Sequence, residues 1–208
     1  MKKNLLWMFA AILFCGAMTT SCSKDEDKNE PKPTTSANTY EVTLAALLPR
    51  CSASYMQLKL DYTDADGKST SVVIKEGDQS EAISDVAKDR YTSLTSTYRV
   101  SPEYIQLLDD LIVRNFTFKV PAGKSFEYKG TIVKRTDFAA PEGGVTLVQP
   151  CVISSAKRIS GNDTDNSQLA TNGSLSILAS FNVKADRFAT IVDHWNGRDA
   201  GSGNVTMK

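Results

Sequence analysis

The sequence predicts an all-β fold: an antiparallel β-sandwich, immunoglobulin-like or related, with one short accessory helix. Three observations carry this. From residue 40 onward apolar and polar residues alternate with period two, the mark of half-buried strands. The alternating runs are short and separated by Gly, Pro, Asn and Asp, which supply turn geometry. About seven or eight such runs follow one another, as a two-sheet antiparallel domain requires.

Taken in order, Tyr40, Val42, Leu44, Ala46 and Leu48 alternate with Glu41, Thr43, Ala45 and Leu47. Met56, Leu58, Leu60 and Tyr62 alternate with Gln57, Lys59 and Asp61. The chain then turns at Asp64-Ala65-Asp66-Gly67 and returns through Ser71 to Ile74, a hairpin in which Gly67 is free to take a positive φ. Residues 80 to 100 fit helix, strand and loop equally well. Ser101-Pro102-Glu103 then gives an N-cap, a proline at the first helical position and an early acid ahead of Ile105, Leu108, Leu111 and Ile112 at helical spacing, so a short helix is expected. A second hairpin is expected between Phe116, Phe118, Val120 and Phe126, Tyr128, Ile132, with Pro121-Ala122-Gly123-Lys124 as its turn. Further strands are expected at Val145 to Ile153, Leu175 to Val183 and Phe188 to Val192.

The N-terminus follows a different grammar. Lys2 and Lys3 precede an apolar run from Leu5 to Ala17, shorter than the roughly 20 residues that span a bilayer. Met18-Thr19-Thr20-Ser21 then leads into Cys22, and Ser23-Lys24-Asp25-Glu26-Asp27 changes polarity abruptly. These residues resemble a bacterial lipobox, with Thr19 standing where an aliphatic residue is more usual. The acidic run after the cysteine looks like that of Bacteroidetes surface lipoproteins. The resemblance implies that residues 1–21 are a removed signal peptide and that Cys22 is acylated. It also implies an outer-membrane lipoprotein exposed at the cell surface. Several acyl chains, each methylene contributing about 0.8 kcal/mol, would hold such a protein at a membrane. Residues 22–38 contain no apolar side chain larger than Ala or Pro and read as a disordered tether. Residues 39–208 read as the β-sandwich domain, about 170 residues and large enough to bury a core.

The charge is balanced, with 24 basic and 24 acidic residues, and no basic excess invites nucleic acid. Of four cysteines, Cys15 leaves with the signal and Cys22 takes lipid. Cys51 and Cys151 remain, and in an oxidising compartment they are expected to form one disulfide; the alternative is two separately buried thiols.

Candidate chemical motifs mostly fail. Gly123-Lys124-Ser125 lacks the glycine that a phosphate loop needs at position 118, where Phe stands. The Asp61, Asp64, Asp66, Gly67 series would place Tyr62 and Val73 where a calcium loop needs an acid and a bidentate Glu. Asn162-Asp163-Thr164-Asp165-Asn166 reads as a solvated loop, and Asp109-Asp110, adjacent on a helix, point apart. His194 is the single histidine and no Gly-x-Ser-x-Gly elbow exists, so no enzyme, metal or cofactor is expected. Asp193-His194-Trp195-Asn196 is left as the candidate ligand site, with His194, Trp195 and Asn196 placed as a sugar-stacking group would be; a late strand with its aromatic packed on the rim is the plainer alternative. Two function classes follow: a non-catalytic, surface-displayed binding module for a glycan or protein partner, or a fimbrillin-like structural or assembly subunit. The first should expose aromatic side chains on one face, and the second should leave a groove open to an added strand.

Overall fold

The computed structural model describes residues 38–161, 168–170 and 175–208. Cys22, the signal and the tether lie outside the described residues, as does the Asn162–Asn166 loop. Thr35–Lys208 forms one compact unit.

Two four-stranded antiparallel sheets make the body. In the first, β1 (Thr39–Pro49) lies between β4 (Leu111–Pro121) and β7 (Cys151–Ser160), with the short β8 (Gln168–Ala170) beyond β7. In the second, β2 (Met56–Thr63) lies between β3 (Ser69–Ile74) and β5 (Ser125–Lys134), with β10 (Asp199–Thr206) beyond β5. A separate two-stranded ribbon pairs β6 (Val145–Val148) with β9 (Ala179–Val183). The architecture is the expected antiparallel sandwich, but four short α-helices stand among the described residues where one was expected.

The alternation in β1 explains the layering. Its even-numbered residues, from Tyr40 to Leu48, face Leu58, Leu60, Phe126 and Ile132 of the second sheet in the main core. Ala45 and Leu47 point the other way and are also buried, because helices cover that face. α2 (Asp85–Leu94) brings Ala87 and Tyr91 there, and α3 (Pro102–Asp109) brings Leu108. Both cores are built within residues 40–207, so residues 35–208 hold what the fold needs.

The hairpin from β2 to β3 forms as its sequence predicts. The Asp64 carboxylate accepts the backbone N–H groups of Asp66 and Lys68, both at 3.0 Å, and Gly67 takes φ +79°. α3 starts as expected too, with the Ser101 hydroxyl accepting the Tyr104 N–H and Pro102 in the first turn. α2 settles the undecided stretch, capped by the Ser84 hydroxyl.

Five expectations need correction, two of them in their bounds: the strand expected over Leu175 to Val183 forms only at Ala179–Val183, and Leu111 and Ile112, expected on the helix, open β4. Pro121 to Lys124 is a tight turn, closed by the Lys124 N–H donating to the Pro121 carbonyl at 3.1 Å, but it is not a hairpin. β4 pairs with β1 while β5 pairs with β2 and β10, so the turn carries the chain from one sheet to the other. The run from Val145 to Ile153 is two strands, broken at Gln149-Pro150 and continuing in different sheets. Residues 188–192 are helical, within α4 (Ala185–Trp195). Phe188, Val192 and Trp195, four and three apart, form its buried stripe and close one end of the main core.

A four-residue helix, α1 (Arg50–Ala53), carries the chain from β1 to β2. Its Ser52 hydroxyl is fully buried and serves both polar groups of Val148, donating to the carbonyl and accepting from the N–H, each at 2.8 Å.

Candidate functional site

The second sheet has one face in the core and one in solvent, and its strand registers line up the outward side chains in rows. Ser202 of β10 lies opposite Lys129 of β5, Lys129 opposite Asp61 of β2, and Asp61 opposite Ser71 of β3. Two residues along, Asn204, Glu127, Thr63 and Ser69 make a second row in the same order. The row between them, Gly203, Tyr128, Tyr62 and Thr70, turns to the opposite face. Its backbone floors an open depression of about 660 Å³ walled by the two outward rows.

The electrostatics of this face are balanced locally. Asp61 accepts from the Ser71 hydroxyl and lies 2.9 Å from the Lys59 ammonium; the Ser71 bond first and Lys59 second hold its carboxyl below the ordinary aspartate range. The Thr63 and Ser69 hydroxyls are 3.0 Å apart, and the Ser125 and Thr206 hydroxyls, beyond the second row, are 2.7 Å apart. Glu127 and Lys129 are exposed, and Lys129, opposite Asp61 on the neighbouring strand, adds to the positive charge that holds the Asp61 carboxyl down. Neither row contains an apolar or aromatic side chain.

The expected ligand site is not there. Trp195 is 2 % exposed and packs in the main core, because α4 turns it inward while its neighbour His194 points to solvent. His194 Nε2 lies 3.3 Å from Arg198 Nη1, and the Asn196 side-chain oxygen accepts the Lys134 N–H at 2.9 Å. Helix geometry separates the three residues, and an aromatic that stacks in the core cannot stack on a sugar.

The expected disulfide is not formed: Cys51 and Cys151 are free thiols. Both belong to the helix-covered core. Cys151 lies wholly inside it and Cys51 at its margin, its sulfur 4.0 Å from the Ser52 hydroxyl. They act as small apolar residues there, and burial pushes both thiols above the ordinary cysteine pKa.

The remaining motifs resolve into structure. Asp64 is used by its turn and Asp61 by Lys59 and Ser71, so neither offers a free ligand to calcium. Asp109 pairs with Arg99 and Asp110 with Arg50, the latter at 3.1 Å, so the two acids diverge as expected. Among the described residues no group of His, Cys, Asp or Glu is placed to hold a metal ion. No family model, curated protein or solved structure matches the chain.

In the sequence Asp61 stands out only as a polar strand position and as part of a failed calcium loop, and Glu127, Lys129, Ser202 and Asn204 do not stand out at all. Their signal was present as the polar half of each alternating strand. What alternation does not show is which strands become neighbours.

Proposed function

We propose that this chain is a lipid-tethered, non-catalytic binding module of the bacterial cell envelope, exposed at the cell surface. It is anchored by acyl chains on Cys22 and meets its ligand with the solvent face of the second sheet. The observation that carries this reading is the pair of polar rows around the open depression. They place hydroxyl, amide and charged groups from four strands on one surface whose ordering is already supplied by the sheet, so little freedom is lost on binding. The lipobox-like residues around Cys22 and the acidic run behind them support the address.

The test of the address is a Cys22→Ser chain expressed in a Bacteroidetes host. The parent should fractionate with membranes and be labelled on intact cells by an impermeant amine reagent. The variant should lose membrane retention, and a variant held as firmly as the parent would contradict lipid anchoring.

One observation favours a second reading, an assembly subunit that accepts an extended strand. β3 and β4 are the outer strands on the same side of the sandwich, and an opening of about 250 Å³ between them is lined by Val72, Val73, Ile74 and Phe116 together with the charged Asp78 and Arg114. The first half of the outer edge of β4 is occupied by residues 80–82, where the Glu81 N–H donates to the Val113 carbonyl at 2.9 Å. The second half, at Thr117 and Lys119, has no neighbouring strand among the described residues. Sedimentation of residues 35–208 separates the readings. A concentration-dependent oligomer abolished by Thr117→Pro supports assembly, and a monomer at all concentrations supports the binding module.

A further inference from the structure

We infer that a second depression, where β9 turns into α4, is a binding site for a sugar acid, a hydroxylated ring that carries one carboxylate. None of its lining residues belongs to the second sheet, so it is a further site and not an extension of the face described above.

The depression measures about 570 Å³ and is lined by the end of β9, by Lys184, and by Asp186, Arg187 and Ile191 of α4. Its apolar wall is placed by an irregularity in the β6–β9 ribbon. Val145 pairs with Val183 and Leu147 with Ser180, so Phe181 and Asn182 together stand opposite Thr146 alone. This is a β-bulge, which re-aims a side chain, and Asn182 takes φ +52° within it, the one non-glycine residue at positive φ among the described residues. Phe181 is half-exposed. Tyr104 of α3 stacks on it with ring centroids 3.9 Å apart and planes 24° from parallel, and Tyr98 lies tilted at 6.3 Å. Two tyrosines therefore hold an aromatic ring in place at the edge of the depression before any ligand arrives.

The charges come from three exposed residues, Lys184, Asp186 and Arg187. No ion pair joins any of them to another side chain among the described residues. Two cations against one acid favour an anion, and the Arg187 guanidinium has the fork that matches a carboxylate. Asp186 narrows the choice further. It only accepts hydrogen bonds, so a bare anion such as phosphate would set its own charge against this carboxylate and bring it no donor.

The ligand these groups suit has one acidic group for Lys184 and Arg187, hydroxyl donors for Asp186 and Asn182, and an apolar face for Phe181 and Ile191. A uronate ring carries all three on one small frame, its C–H groups suited to the face of an aromatic ring. An acidic peptide with one apolar side chain matches the cations and the apolar wall equally well but gains nothing from Asp186, so that residue separates the two. The volume falls within the range of about 300–1,000 Å³ usual for small-ligand sites. A shallow site for one ring binds weakly and retains no polymer by itself; it strengthens capture only beside a second contact.

The experiment follows backbone amide shifts of isotope-labelled residues 35–208 titrated with matched pairs, glucuronate against glucose and galacturonate against galactose. A galacturonate trimer distinguishes a ring within a chain from a free sugar acid, and inorganic phosphate and an acetylated tripeptide of glutamate, leucine and glutamate are titrated in parallel. At least one uronate should shift amides at Phe181, Asn182 and Arg187 at millimolar concentration, at least fivefold more tightly than its neutral partner. Arg187→Ala should weaken it at least threefold with unchanged circular dichroism. Asp186→Ala should also weaken it at least threefold, although it removes a negative charge. Tighter binding of the uronate by Asp186→Ala, tighter binding of the peptide or phosphate at the same amides, or equal binding of the neutral sugar overturns the ligand class and leaves the site standing. No shift at these amides with any probe at tens of millimolar overturns the site itself.

Discussion

Gly201 of β10 runs so close to Val152 of β7 that a Cβ built on it would lie 2.4 Å from the Val152 carbonyl oxygen. Its φ of +122° is one that other residues rarely adopt. This contact draws the two sheets together on one side of the sandwich, opposite the β3–β4 opening. Gly201→Ala should therefore lose stability on two counts, backbone strain and overpacking, together about 2–5 kcal/mol. Urea unfolding of residues 35–208 measures it, and a loss below about 1 kcal/mol would mean that the sheets can separate there at little cost.

Trp195 is the only tryptophan in residues 35–208, so the intrinsic fluorescence of that segment reports on one side chain. Buried among Phe188, Val192 and their neighbours, it should emit at short wavelength and resist acrylamide quenching. Trp195→Ala should cost about 3–5 kcal/mol of stability, as large aromatic truncations in cores do. A red-shifted, freely quenched emission would place the ring at the surface and revive a ligand role for it.

Arg135 bridges two acids, with Nη1 2.7 Å from Glu76 and Nη2 2.8 Å from Asp137. The guanidinium holds the Asp137 carboxyl down to about 2, and Glu76 is lowered too, by the Ser54 hydroxyl first and Arg135 next. A carboxyl depressed in the folded state contributes stability that is fully present above its unfolded value, about 3.9 for aspartate. That contribution is lost as pH falls through the folded value. The unfolding midpoint should thus decline between about pH 4 and pH 2, and Arg135→Ala should flatten the decline. An identical acid profile in the variant would show that the cluster is not the cause.

The two thiols should differ in reactivity. Cys151, fully buried, should alkylate only on unfolding, while Cys51 at the margin of the same core should react slowly in the native state. Mass spectrometry of unfolded residues 35–208, with no reductant at any stage, should find two alkyl groups. Finding none would show a Cys51–Cys151 bond and overturn the free-thiol arrangement.

How much of this was legible in the sequence depends on the range of the interactions concerned. β1, the β2–β3 hairpin and the start of α3 are written locally, in strict alternation, in Asp64 with Gly67, and in Ser101 with Pro102. The β4–β5 connection is not: a tight turn after Pro121 reads alike whether the following strand folds back beside β4 or crosses to the other sheet. That choice is made by pairing with β1 and β2, some 70 residues away. α4 was written locally and misread, since Phe188, Val192 and Trp195 keep helical spacing but Lys184 supplies no side-chain cap to announce the start. The candidate surface was the least legible feature. Ser71, Asp61, Lys129 and Ser202 each look like an ordinary solvent-facing strand residue, and only the strand order makes them a row.

The most direct measurement of recognition by this face uses the whole chain on living cells. Asp61, Lys129 and Asn204 are replaced together by Ala in the full-length protein, and capture of fluorescently labelled polymers, neutral and anionic polysaccharides and proteins alike, is counted alongside surface labelling. The account predicts unchanged surface display and at least a tenfold loss of capture. Undiminished capture by the triple variant at equal display would contradict it.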